Sequence, residues 1–255
     1  MKLLCDARNV SFSYKKNRQI LSDISFSVRE KEIIGVLGKN GSGKSTLLNV
    51  VAGFLCPQEG GVFVHDKNIQ SFSLLERAKA VSYIQQKKLN IPNYYTTEDF
   101  VIEGRRPFRP FGVYAKEDYE LLTETLNECD LLDFKGRLLS DLSGGEFQRC
   151  VFARAIMKQA DLYLFDEPCS AMDIKHQKEF FRIANKVKDL KSSGILITIH
   201  DINLAVQNCD RIILLNGGRI LYDGKASNIG ADVISQAFEV EVSAEYRNGT
   251  KYFYY

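Results

Sequence analysis

The sequence predicts an α/β fold: a mostly parallel sheet flanked by helices, preceded by an antiparallel β subdomain and interrupted by a helical insertion. Three observations predict it. Short, unbroken apolar runs recur at Ile33–Leu37, Leu162–Phe165, Ile195–Ile199 and Ile212–Leu215, as strands buried on both faces require. Helical patterns separate them, most clearly over 174–190, where Phe180, Ile183, Ala184, Val187 and Leu190 share one helix face. The interval 87–157 breaks this alternation and carries no strong strand signal.

The elements follow in order. Val10, Phe12 and Tyr14 alternate with Asn9, Ser11 and Ser13, and Ile24, Phe26 and Val28 repeat the pattern. Both read as half-buried antiparallel strands. The buried strand at 33–37 runs into a glycine-rich loop and a helix over Thr46–Ala52, and a further strand is expected at Val81–Ile84. Within the insertion, Tyr119, Leu122, Leu126 and Cys129 lie at helical spacing, and a second helix is expected over 146–158. The reading is one domain over 1–255, with a helical subdomain at 87–157. A C-terminal extension over 233–255 combines a helix with a β-hairpin. There Val240 and Val242 alternate with charges, Asn248-Gly249 forms the turn, and Tyr252–Tyr255 follow.

Composition narrows the class. A net charge of +2 gives no basic excess for tracking a phosphate backbone, so nucleic acid is not an expected partner. The six cysteines form no C-x-x-C pair, which argues against a disulfide framework or zinc site and for a reducing compartment. The N-terminal apolar stretch is too short for a signal peptide, and no run approaches 18 apolar residues. A membrane role is therefore expected to come through a partner.

Gly38-Lys39-Asn40-Gly41-Ser42-Gly43-Lys44-Ser45 matches G-x-x-x-x-G-K-[ST] between a buried strand and a helix. Glycines let backbone N–H groups curl around phosphate oxygens, and the helix start adds partial positive charge. Lys44 brings a point charge to the β- and γ-phosphates, and the Ser45 hydroxyl suits Mg²⁺. Leu162–Phe165 delivers Asp166 and Glu167 at the C-terminal end of a core strand. Alone this is a solvated strand end. Beside a phosphate loop, Asp166 becomes a candidate for Mg²⁺ and Glu167 for orienting and deprotonating water. Ser143-Gly144-Gly145-Glu146 reads as a capping box, with two glycines that capping does not need and bare N–H groups that suit an anion. His200 ends a core strand, where it either caps the strand or meets a γ-phosphate. Tyr14 either packs inward or stacks on adenine. Gln86 has no local meaning, but it stands where the insertion begins. His65 and His176 read as surface residues.

Taken in order, Tyr14, the loop at 38–45, Gln86, Leu142–Glu146, Asp166-Glu167, Asp173 and His200 resemble the ABC-type ATPases over nearly the whole chain. The L-S-G-G segment is that family's signature. The resemblance implies a P-loop NTPase core that binds ATP and Mg²⁺. It implies nucleotide contacts from Tyr14, Gly38, Asn40, Gly41, Ser42, Gly43, Lys44, Ser45 and Thr46, and from Ser143, Gly144, Gly145 and Asp173. Mg²⁺ would be held by Ser45, Gln86 and Asp166. Glu167 would be the catalytic base, His200 the switch histidine and Gln86 the Q-loop glutamine. Two mild departures stand out: Met172 occupies the usual leucine of the D-loop segment Ser170–Asp173, and Glu146 stands where many members have Gln.

Gly104-Arg105-Arg106-Pro107 and the tail Phe238–Val242 look like the subgroup that imports iron–siderophores, haem and cobalamin. The expected function is ATP hydrolysis driving transmembrane permease subunits from the cytoplasmic face. A second copy of the chain and, indirectly, a solute-binding protein are the other expected partners. The rivals are an ABC ATPase of another importer or exporter class, a non-transport ABC ATPase, which usually carries long coiled-coil arms or two cassettes, and a regulatory module without turnover.

Overall fold

A computed structural model describes the chain except residues 16, 17, 86–91, 93, 110, 171 and 248 and the side chains of 190 and 191. Gln86, Asn248 and the side chain of Leu190 thus lie outside the described residues. The N-terminal third comprises β1 (Leu3–Lys15), β2 (Arg18–Arg29), β3 (Glu32–Leu37), α1 (Lys44–Val51), β4 (Glu59–Val64), β5 (Lys67–Asn68), α2 (Leu74–Ala80) and β6 (Val81–Ile84). Helices α3 (Thr97–Ile102), α4 (Lys116–Glu128) and α5 (Gly144–Met157) follow. The remainder is β7 (Leu162–Phe165), α6 (Ile174–Lys191), β8 (Gly194–Thr198), α7 (Ile202–Asn208), β9 (Arg211–Asn216), β10 (Arg219–Lys225), α8 (Ala231–Phe238), β11 (Ser243–Arg247) and β12 (Thr250–Tyr254).

The central sheet has the order β10-β9-β3-β8-β7-β6. Its β9-β3-β8-β7-β6 pairings are parallel, and β10 adds an antiparallel edge. Its parallel strands are mainly apolar because each feeds two cores. In β3, Ile33 and Leu37 enter one core, while Ile34 and Val36 enter the other. In β7, Tyr163 and Phe165 oppose Leu162 and Leu164 in the same way. On one side lie α1 and the antiparallel sheet β2-β1-β4-β5. On the other lie α5 and α6, the latter through Phe180, Ile183, Ala184 and Val187.

Among the described residues between 94 and 157, backbone pairing of strand type is limited to the single bridge Thr96–Leu138. Leu122, Leu126 and Cys129 are buried as their spacing predicts, but Tyr119 is 52% exposed. It sits at the margin of that stripe, edge-on to Tyr114. The last helix, α8, precedes the β11–β12 hairpin. The hairpin docks through Asn203 of α7, which bonds both the carbonyl and the N–H of Phe253, at 3.0 and 2.7 Å.

One buried ion cluster shapes the helical part. The Asp118 carboxylate accepts from Arg105 Nε at 2.9 Å, Arg109 Nε at 2.5 Å and the Ala115 N–H at 2.9 Å. Arg105 also stacks on Phe108, 4.1 Å from the ring centre. The Gly104–Pro107 segment is thereby folded into a tight 3₁₀ turn pressed onto α5. A Cβ on Gly104 would stand 2.3 Å from the Arg154 carbonyl, so only glycine fits there. Burial opposes ionisation of Asp118, but the bonds from Arg109, Ala115 and Arg105 outweigh it and hold the carboxyl below its usual range.

Asp118→Ala would strand two guanidinium groups, one of which already has a buried unpartnered Nη1. The variant is expected to lose about 3–5 kcal/mol of unfolding free energy in denaturant titrations at neutral pH. Because the folded carboxyl titrates below the unfolded value of about 4, the wild-type advantage is full above that pH. It vanishes as pH falls through the lower folded value, where the two proteins should converge.

Candidate functional site

The C-terminal ends of β3, β7 and β8, three adjacent strands, gather the predicted residues. After β3 the chain turns through Gly38–Gly43 into α1. Gly43 takes φ 103° at the helix N-cap, and a Cβ there would meet Leu21 Cδ2 at 2.8 Å. Asn40 and Gly41 lie exposed at the tip, whereas Ser42, Lys44 and Thr46 are buried. Lys44 Nζ donates to the carbonyls of Gly38 at 2.8 Å and Lys39 at 3.1 Å. Burial pulls this ammonium below its ordinary value, opposed by the charges of Glu167 and Asp166. Ser42 Oγ is buried without a partner. A buried cation and an orphaned hydroxyl where a glycine-rich turn enters a helix N-terminus fit a phosphate.

Ser45 Oγ donates to Asp166 Oδ1 at 3.1 Å. These are two hard oxygens on facing elements, a donor set that suits Mg²⁺ when phosphates and water complete it. Glu167 is held in the left-handed region at φ 51°, a conformation that costs a non-glycine residue roughly 1 kcal/mol or more. Its carboxylate pairs with His200 Nε2 at 2.5 Å. Tyr14 is 61% exposed, so it does not pack inward. Its hydroxyl lies 3.3 Å from Thr46 Oγ1, and Phe12 braces its ring edge-on at 5.0 Å.

The second glycine pair lies elsewhere. Ser143 Oγ accepts from the Glu146 N–H at 3.4 Å, and Glu146 Oε2 accepts from the Ser143 N–H at 2.7 Å, completing the capping box at the start of α5. Gly145 lies against the His176 ring, 2.5 Å from where a Cβ would stand. His176 in turn bonds Asp173 at 2.8 Å. This corrects the surface reading of His176, which ties the start of α6 to the start of α5. His65 is a surface residue, paired with Asp161 at 2.9 Å. Among the described residues, no hydrogen bond or ion pair joins 143–145 to the loop at 38–46. A groove of about 1330 Å³ runs from Asp166, Glu167 and Asp173 along α5, with Phe54 and Tyr83 among its lining residues.

Two contacts escape sequence reasoning. Thr198 Oγ1, buried, accepts from the Glu167 N–H at 2.7 Å and donates to Asp166 Oδ1 at 2.9 Å. Its only signal is a lone hydroxyl in an apolar run. Glu239, just after α8, pairs with Lys39 of the glycine-rich loop at 2.9 Å.

An ABC transporter family model matches residues 21–170. The ABC transporter ATP-binding protein MJ0089 of Methanocaldococcus jannaschii, itself uncharacterized, is 33% identical over 95% of this chain and 94% of its own length. The hemin import ATP-binding protein HmuV of Streptomyces coelicolor is 34% identical over 91% of this chain and 83% of its own. That of Bradyrhizobium diazoefficiens is 30% identical over 99% and 94%. Among solved structures, a chain of an ABC transporter assigned to the metal-chelate type, in an inward-facing conformation, superposes with a TM-score of 0.83. It is 24% identical and covers 100% of this chain and 96% of that one, which supports the fold. The ATP-binding cassette MJ0796, solved as a dimer bound to ADP and Pi, gives 0.74 at 26% identity, over 89% and 100%.

Thr198 braces the Asp166 carboxylate and the Glu167 backbone, so Thr198→Val is expected to lower nucleotide turnover by about 10–100-fold. KM should change far less than kcat. Thr198→Ser should restore most of the activity, because it keeps the hydroxyl. Equal turnover in the valine and wild-type proteins would remove Thr198 from the site.

Proposed function

Because the chain belongs to the ABC transporter family, we propose that it powers import of a metal chelate, namely haem, an iron–siderophore or cobalamin. It is the ATP-binding and ATP-hydrolysing subunit of a transporter and works with a membrane permease, as a dimer of cassettes. Among the described residues no helix is long and apolar enough to cross a membrane, and the channel is assigned to the permease. The observation that carries the cargo reading is the set of relatives named for hemin import, which match almost the whole chain. The Gly104–Pro107 segment and the C-terminal extension support it. A solute-binding protein delivering the chelate on the far side completes the proposed assembly.

In this reading Tyr14 offers its ring to adenine, and the loop at Gly38–Thr46 cradles the phosphates around Lys44. Ser45 and Asp166 are the oxygens that would hold Mg²⁺, which neutralises charge between the β- and γ-phosphates when bound. Glu167 takes the proton of the attacking water. His200 orients Glu167 through the contact between its Nε2 and the carboxylate, and Thr198 fixes the backbone that carries it. Gln86, outside the described residues, is assigned to metal or water contact and to reporting nucleotide state. The region 87–157 is proposed as the subdomain that docks the permease along the groove. The 233–255 extension is proposed to steady the phosphate loop through Glu239.

The second anion-binding helix start, Ser143–Gly145, is proposed to close over the nucleotide of the other copy, with Asp173 at the same seam. Two symmetric sites then form per dimer. The whole is a mechanism of positioning and electrostatic stabilisation.

Three measurements test the reading. Glu167→Gln should retain ATP affinity and lose about 10²–10⁴ in turnover; near-normal turnover would refute the base assignment. Mixing two inactive proteins, Lys44→Ala and Ser143→Arg, should restore hydrolysis, since a mixed dimer holds one intact site. Persistent inactivity, together with Ser42–Ser143 cysteine cross-links found only within single chains, would exclude a shared site. With the permease in liposomes, ATP-driven uptake of haem, an iron–siderophore or cobalamin is expected. Movement of an unrelated solute instead would overturn the cargo and leave the ATPase standing.

A further inference from the structure

The groove beside α5 ends in two positive charges that the chain leaves without a counter-ion. One stripe of α5 faces it: Phe147, Val151, Arg154 and Lys158. The first two are apolar, and the last two are cationic and one helical turn apart. Arg154 makes no hydrogen bond or ion pair among the described residues; its guanidinium lies 4.8 Å over the Phe100 ring. Lys158 Nζ donates to the Val81 carbonyl at 3.1 Å and has no carboxylate partner. Every Asp and Glu of the chain lies among the described residues, so no partner is hidden in the remainder. The acid that lines this end, Glu103, is already bonded to Arg106 at 3.1 Å.

Both cations feel the burial. Arg154 is drawn below its ordinary value, with Glu103 opposing from a distance. Lys158 is drawn down to about 8, by burial first and by the charge of Arg154 second. Two like charges half withdrawn from water cost free energy that an entering anion returns. The other acidic residues of the groove, Asp166, Glu167 and Asp173, lie at its nucleotide end. Apolar surface separates the two ends: Phe54 and Tyr83, with rings 5.6 Å apart, on one wall, and Phe147 and Val151 on the other.

We propose that Arg154 and Lys158 receive a carboxylate side chain from a cytoplasmic segment of the permease, whose apolar side chains rest on Phe147, Val151, Phe54 and Tyr83. This rests on the reading that the groove docks the permease, and it adds the chemistry of the occupant. Arg154 offers a forked donor that a carboxylate meets with two parallel bonds, and Lys158 adds a point charge. The stripe, apolar at one end and cationic two turns later, sets the register of the segment.

The test uses the full-length chain and its permease, purified together, separated and rebound at 50 and 300 mM salt. Arg154→Ala with Lys158→Ala is expected to weaken rebinding by at least about 30-fold at low salt and to abolish most of its salt dependence. Arg154→Met with Lys158→Met keeps most of both apolar stems while removing the charges, and should weaken it comparably, which separates lost charge from lost packing. Arg154→Glu should be rescued by a permease in which one cytoplasmic Asp or Glu is changed to Arg. Wild-type affinity in the charge variants, while Val151→Arg blocks rebinding, would overturn the carboxylate and keep the groove as the docking site. Wild-type affinity in all of them, Val151→Arg included, would overturn both. A loss of binding to phosphatidylglycerol vesicles lacking permease, with permease rebinding unchanged, would assign the pair to lipid phosphate and overturn the proposal.

Discussion

One carboxylate oxygen holds the site together. Asp166 Oδ1 accepts from Ser45, at the start of α1, and from Thr198, at the end of β8. Through Thr198 it is also joined to the backbone of Glu167. Three segments far apart in sequence are thus tied at one atom. One brings the phosphate cradle, one the acidic pair and one the histidine. The parallel sheet makes this possible, because β3, β8 and β7 are neighbours and point their C-terminal ends the same way. The strained backbone of Glu167 is tolerable for the same reason. Its N–H is bonded from a strand that cannot shift without disturbing both cores.

The legible part of the fold was the part governed by burial on both faces. Strands β3, β7, β8 and β9 announce themselves as short apolar runs because neither face meets water. Others were silent. β4 begins with Glu59-Gly60-Gly61, and β10 mixes Arg219, Asp223 and Lys225 among apolar residues; both take their place from pairing partners. β1 extends back to Leu3, where shifts in register break its alternation. The glycine-rich loop, Asp166-Glu167 and His200 were legible because each stands at the end of such a run. Thr198, His176 and Glu239 were not, since their meaning lies in contacts across the fold. Lys39 and Glu239 meet from opposite ends of the fold's sequence, in the glycine-rich loop and just after the last helix.

The Gly104–Pro107 segment shows how a motif can be read for identity and still have a structural cause. Its glycine is required by the carbonyl of Arg154, and Arg105 by the buried Asp118. What the segment offers outward is Arg106 and Pro107 on the groove wall. The buried half of the motif thus holds the exposed half in position, and a substitution in either is felt in the other.

Helix α5 joins the two ends of the molecule's business. Its first residues form the glycine pair, its middle packs Cys150, Ala153 and Ile156 into the core, and its last turns edge the groove. It contains no proline and no internal glycine beyond its first turn, so it has no built-in joint. Fourteen residues make a rod of about 21 Å. A tilt of about 10° at the glycine end would carry the far end through roughly 3–4 Å, enough to make or break a hydrogen bond. The helix has the proportions of a lever: a small tilt at its glycine end becomes, without any hinge, a stroke large enough to be felt along the groove.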